Sequence, residues 1–240
     1  MVSRPVRRWR QLVVWLHVVT SVGWMALALV LFVLLVTSRT TPSPAVAVSA
    51  TSMAQLLDGR LLAPLANASA FTGFMLAAAT PWGFFRHWWV LVKFVITLVQ
   101  LYLGIFILSG VLADTASAAR SAATAAEGAA VAVTGAAGPA LPIAAGSALM
   151  AGAIAFQAWV SIAKPWSTTR WMPADRRQVS ASTAPRWVFV ATVVGVAADL
   201  TVATVLGHPA PLVSLTILAT WLVVRRRRRA ATAVPAGATA

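Results

Sequence analysis

Long apolar runs separated by short polar segments make up most of this chain. Residues 11–36 contain no Asp, Glu, Lys or Arg. At about 1.5 Å per residue, a helix of that length exceeds the roughly 30 Å hydrocarbon layer of a membrane. The pattern predicts an all-α polytopic membrane helical bundle with about six transmembrane helices, at residues 11–36, 61–80, 89–112, 143–163, 187–206 and 209–224.

These helices divide the chain into a four-helix core and a C-terminal helical hairpin. The predicted parts are a basic N-terminus (1–10), the membrane core (11–175), the transmembrane hairpin (176–224) and a basic tail (225–240). Gly207-His208-Pro209 is typical of a tight turn between the two helices of the hairpin. Residues 113–142, rich in Ala, Gly, Ser and Thr, predict a low-complexity outer loop, to which we assign no function.

The net charge of +14 is compatible with nucleic-acid binding or with membrane topology. Only 10% of the residues are charged, against about a quarter in a soluble domain. The predicted helices place 16 of the 19 Lys and Arg residues on one side, as the accumulation of basic residues in cytoplasmic loops requires. We therefore expect a multi-pass protein of the cell membrane with both termini cytoplasmic, with the lipid bilayer and not nucleic acid as its partner.

Polar side chains inside a membrane are costly, so each is a functional candidate. In the first helix, His17, Ser21 and Trp24 follow one another at i, i+4 and i+7 and share one face. His17 lies about two turns from the cytoplasmic end. It either bonds a neighbouring carbonyl or carboxylate in a packed bundle or contributes to a site.

The third helix carries a second polar stripe, formed by Lys93, Thr97, Gln100 and Gly104. Lys93 alone could extend to the headgroups. The polar residues behind it favour an orientation towards the bundle interior. In the fourth helix, Gln157, Ser161 and Lys164 form a similar, weaker stripe.

Helical phase and topology place these groups in the same leaflet. The sequence predicts one inward-opening pocket from six residues: His17, Ser21, Trp24, Lys93, Thr97 and Gln157. Asp199, in the outer half of the fifth helix, is predicted to be either hydrogen-bonded within the bundle or a proton relay.

A short motif occurs twice at predicted cytoplasmic turns. Pro81-Trp82 with Arg86 is matched by Pro165-Trp166 with Arg170. The match indicates either two parallel hairpin repeats or two turns that meet the same demands independently.

Three segments carry a resemblance to a known family: LHVVTSVGW (16–24), GFMLAAATPWGFFRHWWVLVK (73–93) and KPWSTTRW (164–171). Over about residues 10–175 the chain resembles a family of uncharacterised actinobacterial integral membrane proteins with a domain of unknown function. The resemblance implies a four-helix core and no settled activity. Relatives often have a histidine early in the fourth helix, and residues 143–150 here contain none.

The first helix is more distantly similar to HemJ-type protoporphyrinogen oxidases and CopD-like copper-resistance proteins. In the HemJ-type group, a histidine in the first helix and a lysine in a later helix serve a haem b-associated site. The resemblance implies that His17 and Lys93 are the matching positions.

Three functions remain open. The chain has no cysteine, so disulfides and thiolate metal sites are excluded. It also has no paired carboxylates, nucleotide loop, metal-spaced ligands or Ser/His/Asp set, which favours a non-catalytic assembly, partner-binding or small-solute-handling bundle without a metal site. The first alternative is a haem b redox protein with His17 as axial ligand and His87 as the other histidine on that side. The second is copper handling through Met and His side chains, with Met25, Met75 and Met150 in the predicted helices.

Overall fold

A computed structural model describes residues 4–128, 140–166, 168–170 and 183–232. Within these ranges the chain forms six helices and no strand, which confirms the all-α prediction. Two helices contain a π-helical segment. The helices are α1 (Arg4–Thr40), α2 (Pro44–Leu57, π-helical Asp58–Leu62 and Ala63–Ala79), α3 (Trp88–Leu103, π-helical Gly104–Leu108 and Ser109–Gly128), α4 (Ala140–Ala163), α5 (Arg186–Leu206) and α6 (Leu212–Thr232).

Five helices, α1 to α5, are long and apolar enough to cross a membrane. In α6 the arginine run starts at Arg225, so only residues 212–224 are apolar. That stretch measures about 20 Å, which is shorter than the hydrocarbon layer. The helix itself continues through the run that we predicted to be a tail.

The first three helices are longer than the sequence predicted. Ser43 caps α2 by accepting a hydrogen bond from the Val46 backbone N–H at 3.5 Å, and Pro44 follows at the first helical position, where proline fits. α3 continues to Gly128, into the predicted loop 113–142, because alanine has the highest helix propensity. Residues 129–139 of that loop lie outside the described residues. Each of these helices is longer than about 50 Å and so extends beyond a bilayer.

α1 lies at the centre and packs against α2, α4 and α5. Between α1 and α4 the core is apolar and includes Trp24, Leu31, Ala151 and Ile154. A second apolar cluster joins α1 and α2 to α5 and α6. Its members include Val13, Met75, Val188, Phe189 and Trp221.

The hairpin α5–α6 is fixed at its turn by a glycine and a carboxylate. Gly207 ends α5 with a left-handed φ of 76°, which glycine adopts without strain. Asp199 accepts hydrogen bonds from the backbone N–H groups of Val213 (3.1 Å) and Ser214 (2.9 Å) at the start of α6. A carboxylate at a helix N-terminus satisfies free donors and complements the helix dipole. Both oxygens of Asp199 therefore have a structural use.

Candidate functional site

The polar contact between α1 and α2 is built around His17. Its Nδ1 lies 3.0 Å from the Ser69 carbonyl oxygen and 3.1 Å from Thr72 Oγ1. A carbonyl oxygen can only accept, so Nδ1 carries a proton, and in the neutral imidazole Nε2 then keeps its lone pair. At Gly73 an added Cβ would stand 3.0 Å from His17 Cε1, so glycine allows α2 to lie directly against the ring.

Ser21 extends this α1–α2 contact by one turn. Its hydroxyl donates to the His17 carbonyl oxygen at 2.7 Å and lies 2.7 Å from the hydroxyl of Ser69. Since the single proton of Ser21 is used on the carbonyl, Ser69 is the donor in the second bond. The contact is thus hydrogen-bonded over two turns of helix.

A second polar group, the α3–α4 seam, consists of Lys93, Thr97 and Gln100 of α3 with Gln157 and Ser161 of α4. Lys93 Nζ donates to Ser161 Oγ at 2.6 Å, and Thr97 Oγ1 donates to Gln157 Oε1 at 2.9 Å. Gln157 Nε2 donates to Gln100 Oε1 at 2.7 Å. Gln100 Nε2 then donates to a backbone carbonyl of α4, that of Met150, at 3.0 Å.

The seam follows one antiparallel register. Positions further along α3 meet positions earlier along α4, and the stripe ends where a Cβ on Gly104 would stand 3.7 Å from Met150 Cε. All four stripe positions of α3 therefore face α4. Both glutamines are buried, at 5% and 8% exposure, so their hydrogen bonds are made away from solvent.

The six residues of the predicted pocket separate into three environments. His17 and Ser21 belong to the α1–α2 contact, whereas Lys93, Thr97 and Gln157 belong to the α3–α4 seam. Among the described residues no hydrogen bond joins Lys93 to His17. Trp24 lies apart in the α1–α4 core, 3% exposed, and its Nε1 has no hydrogen-bond partner in the described ranges.

His87 lies in a loop at the end of the bundle that carries Arg4 and Arg186, here called the arginine end. It pairs with Thr168 in an isolated β-bridge, and its ring packs on Trp82 with centroids 5.3 Å apart. Burial, followed by the charge of Arg86, lowers the pKa of His87.

The two copies of the repeated motif contact each other at the arginine end. The Thr169 backbone N–H donates to the Arg86 carbonyl oxygen at 3.0 Å, and the Thr169 hydroxyl donates to that of Phe85 at 2.6 Å. Lys164 Nζ lies 5.2 Å from the centroid of the Trp82 ring. The loop after α2 is therefore docked onto the loop after α4, in reach of the start of the α3–α4 seam.

Binding of haem or of a copper ion would require donor atoms from His, Met, Asp or Glu side chains at suitable positions. Within the described residues, no group of three or more His, Asp or Glu is close enough to hold a metal ion. His17 Nε2 can serve as one ligand, with its ring orientation fixed by the Ser69 carbonyl. Met75 belongs to the cluster with α5 and α6, whereas Met25 and Met150 belong to the α1–α4 core.

The partners of His17 in α2 were not predicted from the sequence. Ser69, Thr72 and Gly73 stand at i, i+3 and i+4 and form a small polar face that α1 covers. The signal was therefore present, as a helix-period stripe of small residues of the kind that permits close helix packing in membranes.

Comparison of the chain with known protein families, curated proteins and solved structures found no match. The family resemblance of residues 10–175 and the similarity to HemJ-type and CopD-like proteins stay predictions.

Proposed function

We propose that this is a multi-pass membrane protein without catalytic chemistry of its own, whose bundle works in assembly, partner binding or small-solute handling. One observation supports this function above others: the polar side chains within the spans bond to one another across helix pairs. His17 and Ser21 of α1 form hydrogen bonds with Ser69 of α2, and in the α3–α4 seam Gln157 forms one with Gln100. Interhelical hydrogen bonds of this kind hold helices in one arrangement.

The hydroxyl groups nearest His17 are not arranged as nucleophiles. Activation requires a hydroxyl bonded to a base nitrogen that can take its proton. Thr72 Oγ1 donates to the carbonyl oxygens of Ala68 and Ser69, and Ser21 donates to that of His17. Each proton is thus used on the backbone, while Nδ1 of His17 is itself a donor.

Small-solute handling stays part of the proposal because of Lys93. Its ammonium group has three protons, and the described residues provide one bond, to Ser161. None of the residues that bond in the seam is a carboxylate. A small anion is the solute class that this group would recognise.

The test is a visible spectrum of the full-length protein in mild detergent, oxidised and reduced, with metal analysis of the same sample. The proposal expects a colourless, metal-free protein at full yield. Asn67→Ala, a change in α2 away from the His17 contact, provides a control for handling. A haem Soret band that His17→Ala abolishes and Asn67→Ala preserves would replace the proposal with the haem alternative.

A haem-associated redox function is the second candidate. It is favoured by the tautomer of His17, because an Nδ1–H bonded to a carbonyl and a free Nε2 lone pair are what an axial ligand requires. When bound, haem would supply one-electron chemistry. The chain's own part would be to orient His17 through the Ser69 carbonyl, with Lys93 as the second residue that the HemJ-type resemblance implies.

The proposed orientation, with both termini in the cytoplasm, can be tested by cysteine labelling, since the native chain has no cysteine background. Arg226 at the arginine end and Ser117 at the far end of α3 are both exposed. In intact spheroplasts, a membrane-impermeant maleimide should label Ser117→Cys and not Arg226→Cys. The reverse labelling pattern would contradict the orientation.

A further inference from the structure

A cleft between the first turns of α1 and the start of α5 is lined by three arginines. Its walls are formed by Arg4, Pro5, Arg8, Trp9 and Arg186, and its volume is about 270 Å³. The Arg186 guanidinium lies 5.8 Å from the centroid of the Trp9 ring. An aromatic ring at this distance attracts the cation and restricts its position.

The cleft has no acidic wall to balance these charges. Four of the chain's five acidic residues lie in helix segments remote from the arginine end: Asp58, Asp114, Glu127 and Asp199. The fifth, Asp175, lies outside the described residues. Among the described residues no carboxylate lines the cleft, so its three guanidinium groups are available to an external anion.

The position of the cleft along α1 indicates which kind of anion it would bind. Trp9 lies just before the apolar run that begins at Leu12. Further along α1 in this run, the side chains of Val14 and Trp15 are exposed. On α5, Trp187 follows Arg186 and is 45% exposed. Tryptophan side chains of this kind mark the interface between headgroups and hydrocarbon.

We propose that this cleft binds a phosphate group, and that the phosphate is the headgroup phosphodiester of an anionic phospholipid. Guanidinium groups bind phosphate oxygens through paired, charge-assisted hydrogen bonds. Basic pockets between helices at the cytoplasmic interface recognise anionic lipids in this way. The acyl chains would extend along the exposed apolar side chains next to the cleft. The site is independent of the function proposed above.

Native mass spectrometry of the full-length protein with phosphatidylglycerol or phosphatidylcholine tests the proposal. The cleft variant is Arg4→Gln/Arg8→Gln/Arg186→Gln. Its matched control, Arg7→Gln/Arg10→Gln/Arg226→Gln, removes the same charge from residues that do not line the cleft. The wild type should prefer phosphatidylglycerol, and the cleft variant should bind it at least about tenfold more weakly, because each arginine near an anionic surface contributes on the order of a factor of five.

The control variant should stay within about twofold of the wild type, because its charges act only at a distance. Equal losses in both variants, or no preference for phosphatidylglycerol in the wild type, would overturn the site. Arg8→Gln alone, at unchanged thermal stability, provides the same comparison if the triple variant does not fold.

A second arm distinguishes the source of the phosphate. Millimolar glycerol phosphate or inorganic phosphate should leave phosphatidylglycerol binding unchanged, because neither carries acyl chains. Displacement of the lipid by these ions in the wild type would overturn the lipid assignment in favour of a soluble phosphate. Tighter binding of a single-stranded oligonucleotide than of lipid, abolished by the cleft variant alone, would overturn it in favour of nucleic acid.

Discussion

Helix α4 presents two different faces to its two neighbours. Towards α1 it packs Ala151 and Ile154 into an apolar core, and towards α3 it presents Gln157 and Ser161. Lipid tails are as apolar as leucine, so an apolar contact in a membrane depends on close packing, whereas a polar contact depends on hydrogen bonds. In its most apolar stretch α3 is 11% buried, against 44% for α4. The part Ser109–Gly128 of α3 packs on Pro44–Leu57 of α2, whereas the part Trp88–Leu103, which has little packing, depends on the seam for its position.

The largest expected effect comes from overfilling the apolar face. Ala151 is 4% exposed, and Ala151→Leu forces α1 and α4 apart. We expect a loss of about 1–3 kcal/mol in the free energy of unfolding, measured by denaturant titration in mixed micelles. Ala155→Leu, at an exposed position of the same helix, is the control and should be neutral. Equal effects of the two variants would contradict the packing of α4 on α1.

Gln157→Leu disrupts the polar face of α4 and should have the next largest effect on the free energy of unfolding. It removes the acceptor of Thr97 and the donor to Gln100, both inside the bundle. We expect a loss of about 1–2 kcal/mol, with faster hydrogen exchange in α3 and little change in α1. Phe156→Leu, at a 41% exposed position, is the control. Faster exchange spread evenly over all helices would argue against a local seam.

Ser161→Ala removes a single bond of the seam, that from Lys93. Interhelical bonds in membranes contribute about 0.6 kcal/mol on average, so the expected loss is smaller than for Gln157→Leu. Ser161→Thr keeps the hydroxyl and should retain most of the stability. A loss in Ser161→Thr as large as in Ser161→Ala would show that the hydrogen bond is not the cause.

The smallest effect is expected from pH at the docked loops beside the seam. Burial and Arg86 lower the pKa of His87 below its usual value of 6.5. The unfolded chain therefore takes up the proton first, so stability is full above pH 6.5 and falls as the pH drops below it. His87→Asn should reduce this fall. Because His87 is only half-buried, a change of more than a few degrees in Tm would point to another group.

The apolar face of α4 and the stripe on α3 were readable from the sequence, because both depend on helical period alone. Lys93, Thr97 and Gln100 fall on one face wherever the helix lies. The stripe of Gln157 and Ser161 in α4 was visible for the same reason, but which residue meets which depends on the antiparallel register, and no local pattern specifies that register. The prediction of one shared pocket extended the same reasoning to α1, where His17 bonds Ser69 of α2, and the shared pocket stays a prediction.

Helix ends were less predictable than helix faces. Apolar runs show where a helix enters lipid, and they do not show where it stops in water. The start of α2 depends on Ser43 and Pro44, a local capping signal. Asp199, predicted to be either hydrogen-bonded or a proton relay, accepts bonds from α6 across a turn that the sequence did indicate.

The central claim is that buried polar residues of α3 and α4 bond each other and thereby hold the part Trp88–Leu103 of α3 in place. A double-mutant cycle of Gln100→Leu and Gln157→Leu tests it most directly. Each single variant leaves a buried amide without its partner, whereas the double variant removes both. We predict that the double variant loses about 1 kcal/mol less than the sum of the single variants. Losses that simply add would contradict the claim.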